Sequence, residues 1–210
     1  MALQLKDGAF VPGATTILKL LDKPFLVKWA NKLGKEGKDC DEVRDQAAQM
    51  GTLIHEIIQS HLTKTEITID EKYTDDDIAN AEKAFARYME WEANHTIENV
   101  EIEKELVSET YRYGGYLDVY CKVDGYWSII DIKTSKKIGT EQAIQVSAYE
   151  QLVRENNLPV DRLYIVNVGK LDNSKLEVME IARDKSSKYF KLFKQLVDVY
   201  YTKKEIGWDD

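Results

Sequence analysis

The amino-acid sequence predicts an α/β fold in which a mixed central β-sheet is flanked by helices. Three observations carry that expectation. Apolar residues recur at helical spacing over residues 41–62, 75–94 and 185–204. Two apolar-alternating segments between Tyr113 and Ser135 flank Asp124-Gly125, the pair that most strongly signals a two-residue β-hairpin. A further helical stretch, 140–156, separates that hairpin from strands near 162–168 and 176–181. Helices, three strands, helix, strands, helix is the order of a sheet packed between helical layers. In it the helix after Lys133 crosses over to a new strand.

Taken in order, residues 14–22 and 24–35 read as two short helices divided by Pro24, a residue tolerated in a first helical turn. The helix 41–62 carries Val43, Ala47, Met50, Ile54, Ile57 and Ile58 on one stripe. Gly51 interrupts it at a cost of ~1 kcal/mol relative to alanine, which close approach of another backbone would explain. Residues 100–107 alternate as a strand. If Asp124 and Gly125 form the hairpin loop, Val123 faces Tyr126, Cys121 faces Ser128, and Asp118 faces Asp131. Period-two alternation then places Leu117, Val119, Cys121, Ile130 and Ile132 on an apolar core face, with Asp118, Tyr120, Ile129, Asp131 and Lys133 on a second face that forms a site.

Composition narrows the class. A 210-residue chain with 43% hydrophobic residues has enough apolar surface for one substantial core, so residues 1–210 are expected to form a single domain. No apolar run reaches the roughly 18–20 residues of a membrane span, and no signal peptide is visible; the expected setting is the cytoplasm of a bacterium or phage-infected host. Cys40 and Cys121 lie outside any metal-ligand spacing, which argues against zinc and iron–sulfur sites. The net charge of −8 runs against a nucleic-acid partner, yet it divides into +3 over residues 1–40 and −11 over the remainder. A basic helical segment at 1–40 could grip a phosphate backbone, or be an ordinary solvated lysine-rich surface.

The chemistry gathers on the hairpin. Two carboxylates opposed across strands destabilise each other unless a cation neutralises them, and hard oxygen donors in pairs suit Mg²⁺ or Mn²⁺. Lys133, two residues past Asp131, can reach an attacking water or a phosphate oxygen. From the hairpin alone, a solvated polar face is the favoured explanation of these residues. Two further elements add to it: the sequence G-T-L-I-H over 51–55, which puts His55 one residue off the buried helical stripe and by itself reads more simply as a core-edge histidine, and Q-V-S-A-Y over 145–149, which aligns Gln145 and Tyr149 on one helical face and by itself fits ordinary packing.

This ordered set, G-T-L-I-H at 51–55, G-G-Y-L-D at 114–118, D-I-K-T-S at 131–135 and Q-V-S-A-Y at 145–149, resembles the PD-(D/E)XK nuclease superfamily and, more narrowly, its RecB-type exonuclease branch. V-P-G-A-T-T-I-L from Val11 and S-E-T-Y-R-Y-G-G-Y-L-D at 108–118 are similar to the mitochondrial genome maintenance exonucleases and related phage proteins. The resemblance implies a restriction-endonuclease-like core. It implies that His55, Asp118, Asp131 and the Ile132 carbonyl bind Mg²⁺ or Mn²⁺, that Lys133 positions the nucleophilic water, and that Gln145 and Tyr149 support the site and its DNA. One of Glu103, Glu105 and Glu109 would add an outer carboxylate. Asp131 stands where many members have Glu, and the four cysteines of the iron–sulfur exonucleases are missing, so the cluster-bearing CRISPR-associated exonucleases match poorly.

The expected function is therefore metal-dependent hydrolysis of DNA, on single strands or free ends, leaving a 5′-phosphate and a 3′-hydroxyl. Lys28, Trp29 and Lys32 are candidate substrate contacts in a strand-guiding wall. For Trp29, core packing is the competing and favoured reading, with base stacking as the alternative. Replication or recombination proteins are candidate partners. The rival expectation is a non-catalytic DNA-binding or recombination-assembly subunit that keeps the fold.

Overall fold

A computed structural model describes residues 3–208. Its elements are α1 (Ala14–Leu18), α2 (Pro24–Lys35), α3 (Cys40–Thr63), α4 (Asp75–Glu92), β1 (Ile97–Ser108), β2 (Tyr113–Val123), β3 (Tyr126–Lys133), α5 (Thr140–Glu155), β4 (Arg162–Asn167), β5 (Glu177–Glu180) and α6 (Arg183–Glu205). The strands form one mixed sheet in the order β1-β2-β3-β4-β5. Only β3 and β4 run parallel, because α5 carries the chain back across the sheet between them. Every other neighbouring pair is antiparallel.

Local chemistry sets the boundaries. Asp39 caps α3 by accepting from the amides of Asp41 and Glu42, and the helix ends where Lys64 turns left-handed at φ +56°. Thr74 and Asp77 form a reciprocal capping box on α4, whose first turn also carries Asp75 and Asp76 against the positive end of the helix dipole. α1 stops at Leu18, short of the expected 22, and β1 starts at Ile97, earlier than the expected 100.

The hairpin follows the arithmetic as far as Val119: pairs run Val123↔Tyr126, Cys121↔Ser128 and Val119↔Ile130, with Asp124 and Gly125 both at positive φ. Beyond that point two expectations fail. Asp118 and Asp131 are not a ladder pair; the Asp118 carboxylate instead accepts the Ile132 amide at 2.8 Å. Leu117 packs with Tyr120 and Ile129 rather than with Val119, since alternation breaks where β2 leaves its partner.

Both faces of the sheet are core, which corrects the expectation that one face forms the site. Leu117, Tyr120, Ile129 and Ile165 are buried beneath α1, α5 and α6, with Ile17, Leu152 and Phe193 against them. Val119, Cys121, Ile130, Ile132 and Val166 are buried beneath α3 and α4, against Leu53, Ile54, Ile58, Ala84 and Tyr88. Helices on both sides cover the central strands β2, β3 and β4, while the edge strands β1 and β5 keep exposed residues. Polar chemistry is confined to the sheet's end, where β2 and β3 part.

Candidate active site

The site is built around a gap in the β-ladder. On one side of Asp118, β1 pairs Ile102↔Val119 and Lys104↔Leu117, while Glu103 between them leaves the ladder with φ +48°. On the other side the β2–β3 ladder has ended. Asp118 is thus freed from regular pairing on both flanks, as strand irregularities beside functional sites commonly achieve. It keeps only 17% of its side chain exposed and has His55 Nδ1 3.9 Å from its Oδ2.

Asp131 lies inside this corner at 1% exposure. Lys133 Nζ donates to its Oδ1 at 2.8 Å and also stands 2.7 Å from Oδ2. That second approach lacks hydrogen-bond geometry, so Oδ2 is a buried carboxylate oxygen without a hydrogen bond. Burial is the main cause that pushes the Asp131 carboxyl up to about 7; Lys133 opposes the shift and Asp118 adds to it. For Lys133 burial pulls downward, but Asp131 and Asp118 outweigh it and hold the amine above the ordinary lysine range.

α5 contributes Gln145 and Tyr149, one turn apart. Gln145 Nε2 donates to the Tyr149 hydroxyl at 2.8 Å. Burial first, then the charge of Asp131, drives the Tyr149 hydroxyl above its ordinary range, so it stays protonated beside the acids. The ring fits because residue 115 is glycine: a Cβ there would fall 2.5 Å from Tyr149 Cε1. The helical glycine Gly51 has a related role. A Cβ on it would lie 3.2 Å from the Thr134 hydroxyl, so a side chain, rather than the expected backbone, makes the close approach.

The structure thus brings His55, Asp118, Asp131, Ile132, Lys133, Gln145 and Tyr149 to one end of the sheet. It does not bring Lys28, Trp29 or Lys32 into contact with them. All three lie on the outside of α2, where Leu33 is the buried residue, and Lys32 faces Glu36 at 3.8 Å. Trp29, at 36% exposure beside the more exposed Phe25 and Val27, is no core residue. α2 presents its apolar side to solvent, which helical spacing alone does not reveal.

Gln59, Lys23 and Glu141 escaped the sequence reading, which left Glu103 as one of three alternative carboxylates. Glu103 separates from Glu105 and Glu109: it accepts from Gln59 at 2.7 Å and lines the cavity that also holds His55, whereas Glu109 accepts the Lys6 amide. Gln59 carried a signal, its position four residues after His55 on α3. Lys23 pairs with Glu141 at 2.8 Å, and Glu141 is among the charges felt by Lys133.

The donors at this corner, carboxylates with one imidazole and an orphaned buried oxygen, fit a hard divalent cation such as Mg²⁺ or Mn²⁺. Their atoms do not all lie close enough to grip one ion without side-chain adjustment. Among the described residues, Asp39, Cys40 and Asp41 alone place three possible donors within 4.8 Å of one another. That group is an exposed helix cap: Asp39 is occupied with backbone amides and Asp41 with Arg44 at 2.7 Å.

Residues 24–206 match the PD-(D/E)XK nuclease superfamily, and the chain belongs to that family. The mixed five-stranded sheet between helices is its restriction-endonuclease-like fold. No curated protein matches the chain in sequence. Among solved structures it is similar to a "putative exonuclease" of Eubacterium rectale, at 12% identity and a TM-score of 0.47, over 70% of this chain and 64% of that one. It is also similar to the alkaline exonuclease LHK-Exo of Laribacter hongkongensis, at 16% identity and a TM-score of 0.35, over 75% and 86% of the two chains. LHK-Exo in complex with dAMP aligns at 15% identity and a TM-score of 0.36, over 74% and 84%. The chain spans less than two thirds of the Eubacterium rectale protein. Among the described residues no helix is long and apolar enough to cross a membrane.

Proposed function

We propose that this chain is a metal-dependent deoxyribonuclease that hydrolyses phosphodiesters by an activated water, acting as an exonuclease on single-stranded DNA or DNA ends. The observation that carries this reading is Asp131: a carboxylate at 1% exposure, with an orphaned oxygen, a lysine against it and a second carboxylate next to it. Burying such a group is costly unless a cation and a substrate give it work.

Asp118, Asp131, His55 and the Ile132 carbonyl would hold Mg²⁺ or Mn²⁺, with Glu103 as an outer carboxylate. The ion, when bound, supplies Lewis-acid activation of the water and of the phosphoryl oxygen. Lys133, held protonated by Asp131 and Asp118, orients the attacking water and offsets the charge that builds on the phosphate. Tyr149 and Gln145, hydrogen-bonded to each other with Tyr149 feeling the charge of Asp131, would support the site and its DNA. The water oxygen would bond to phosphorus and give up a proton to solvent, the bond to the 3′-oxygen would break, and that oxygen would take a proton from solvent and leave as a hydroxyl, with the phosphate kept on the 5′ side.

The test is incubation of end-labelled single-stranded and duplex DNA with Mg²⁺, with Mn²⁺ and with EDTA, comparing the wild type with Lys133→Ala and adding unlabelled RNA as competitor. Metal-dependent shortening by the wild type, reduced about 10²–10³-fold in Lys133→Ala, is the expected result. DNA that is bound yet left intact by the wild type in both metals would point instead to the non-catalytic subunit. RNA that outcompetes DNA would move the substrate class.

A further inference from the structure

Beside the site, on the far side of the contact between Gly51 and Thr134, lies a cavity of about 650 Å³. Its walls include Lys136, Lys170 and Lys175, with Ser135, Asn173 and Ser174 between them. None of the three lysines forms an ion pair with a carboxylate among the described residues. Lys170 is the most telling. It is half-buried, its amine reaches only the Ala47 carbonyl at 3.0 Å, and burial alone draws it below the ordinary lysine range. A partly desolvated cation without a counter-charge is costly unless an anion visits it. Glu177, the acid on this wall, is engaged with the Ile138 amide at 2.8 Å.

The loop that carries two of these lysines is also firmly placed. Arg87 of α4 donates to the carbonyls of Val168, Gly169 and Leu171. Lys83 pairs with Asp172, and Ser174 accepts the Leu171 amide at 3.1 Å. Gly169, at φ +60°, has Ser174 so close that a Cβ would fall 2.4 Å from it. The backbone that carries Lys170 and Lys175 is thus held by contacts within the protein, which lowers the ordering cost of binding there.

On the other side of the Gly51–Thr134 contact the character inverts. A cavity of about 400 Å³ there is lined by His55, Glu56, Gln59 and Glu103. Without a bound ion, a polyanion is therefore favoured on one side of the acids and opposed on the other.

We propose that the Lys136–Lys170–Lys175 groove is a phosphate-binding track, along which the backbone of the DNA strand runs away from the scissile phosphate while its other end stops at the Glu56–Glu103 side. This deepens the nuclease reading and rests on it. Each phosphate bound displaces counterions, so the track has a salt signature.

The experiment measures binding of a fluorescent twelve-nucleotide single strand by anisotropy in EDTA, where no strand is cut, across a range of salt concentrations. It compares the wild type, Lys136→Gln/Lys175→Gln, the triple Gln variant that adds Lys170→Gln, and the triple Arg variant; circular dichroism monitors the fold. The exposed pair in the double variant keeps the test valid if Lys170→Gln unfolds. The slope of log affinity against log salt should fall by about 1.4 in the double and about 2 in the triple variant, at roughly 0.7 per lost single-strand phosphate contact, and return with arginine. A dinucleotide should bind wild type and variants alike. Unchanged slopes in folded variants would overturn the track. So would equal loss of the dinucleotide, or of inorganic phosphate as a competitor, either of which would mark a product-phosphate pocket instead. If slopes change as expected but the wild type cuts no DNA with Mg²⁺ or Mn²⁺, the track stands and the nuclease reading fails.

Discussion

Replacing Asp131 by Asn tests the buried acid that dominates the site. In the unfolded chain an aspartate titrates near pH 4, whereas in the fold burial, reinforced by Asp118 and opposed by Lys133, moves Asp131 to about 7. Between those two pH values the native protein binds more protons than the unfolded chain. The stability this proton confers is complete below about pH 4 and is lost as the pH rises through about 7. A separation of about three pH units, at 1.36 kcal/mol each, sets the contribution on the order of 4 kcal/mol. Asn cannot ionise, so this contribution disappears, while Lys133 retains Asp118 nearby as a counter-charge. The readout is urea unfolding of wild type and Asp131→Asn in EDTA from pH 4.5 to 8. Wild-type stability should fall more steeply with pH than that of the variant, and the comparison cancels the titrating groups that lie away from Asp131. Equal slopes, or a wild type that gains on the variant as the pH rises, would refute a neutral buried Asp131.

Other expectations follow from single contacts. Gly115→Ala places a Cβ 2.5 Å from the Tyr149 ring and should cost about 1–3 kcal/mol of stability, read as a lower thermal midpoint, with activity lost alongside it. Tyr149→Phe keeps the ring but removes the hydroxyl that accepts from Gln145, and should cost about 1 kcal/mol in the same assay. Lys133→Ala should lose cleavage yet still bind Mn²⁺ in calorimetry, because its amine is a charge beside the donors and not a donor itself.

Much of this layout is legible in the sequence where local chemistry dictates it. Asp124-Gly125 fixes the turn, since both residues must take positive φ, and the turn fixes the register up to Val119. The hairpin's faces were harder to read. Interior strands covered by helices on both sides are apolar throughout, so the segment Y-W-S-I-I-D-I-K of β3 does not announce a site face. The break at Asp118 is likewise invisible to alternation, and it is what moved Leu117 to the other core. Glu103 could not be told from Glu105 and Glu109, because the positive φ that takes it out of the ladder leaves the register on either side unchanged and so leaves no mark in the alternation. Trp29 looked like core on composition, but α2 turns Phe25, Val27 and Trp29 outward, a tertiary outcome that no local pattern contains.

The most direct measurement is anomalous scattering from crystals grown with Mn²⁺. The expected map has its strongest peak within bonding distance of both Asp118 and Asp131, beside the Ile132 carbonyl. A peak only at the Asp39–Asp41 cap, or ions bound elsewhere while Lys133 still holds Asp131, would contradict a metal centre at the parting of β2 and β3.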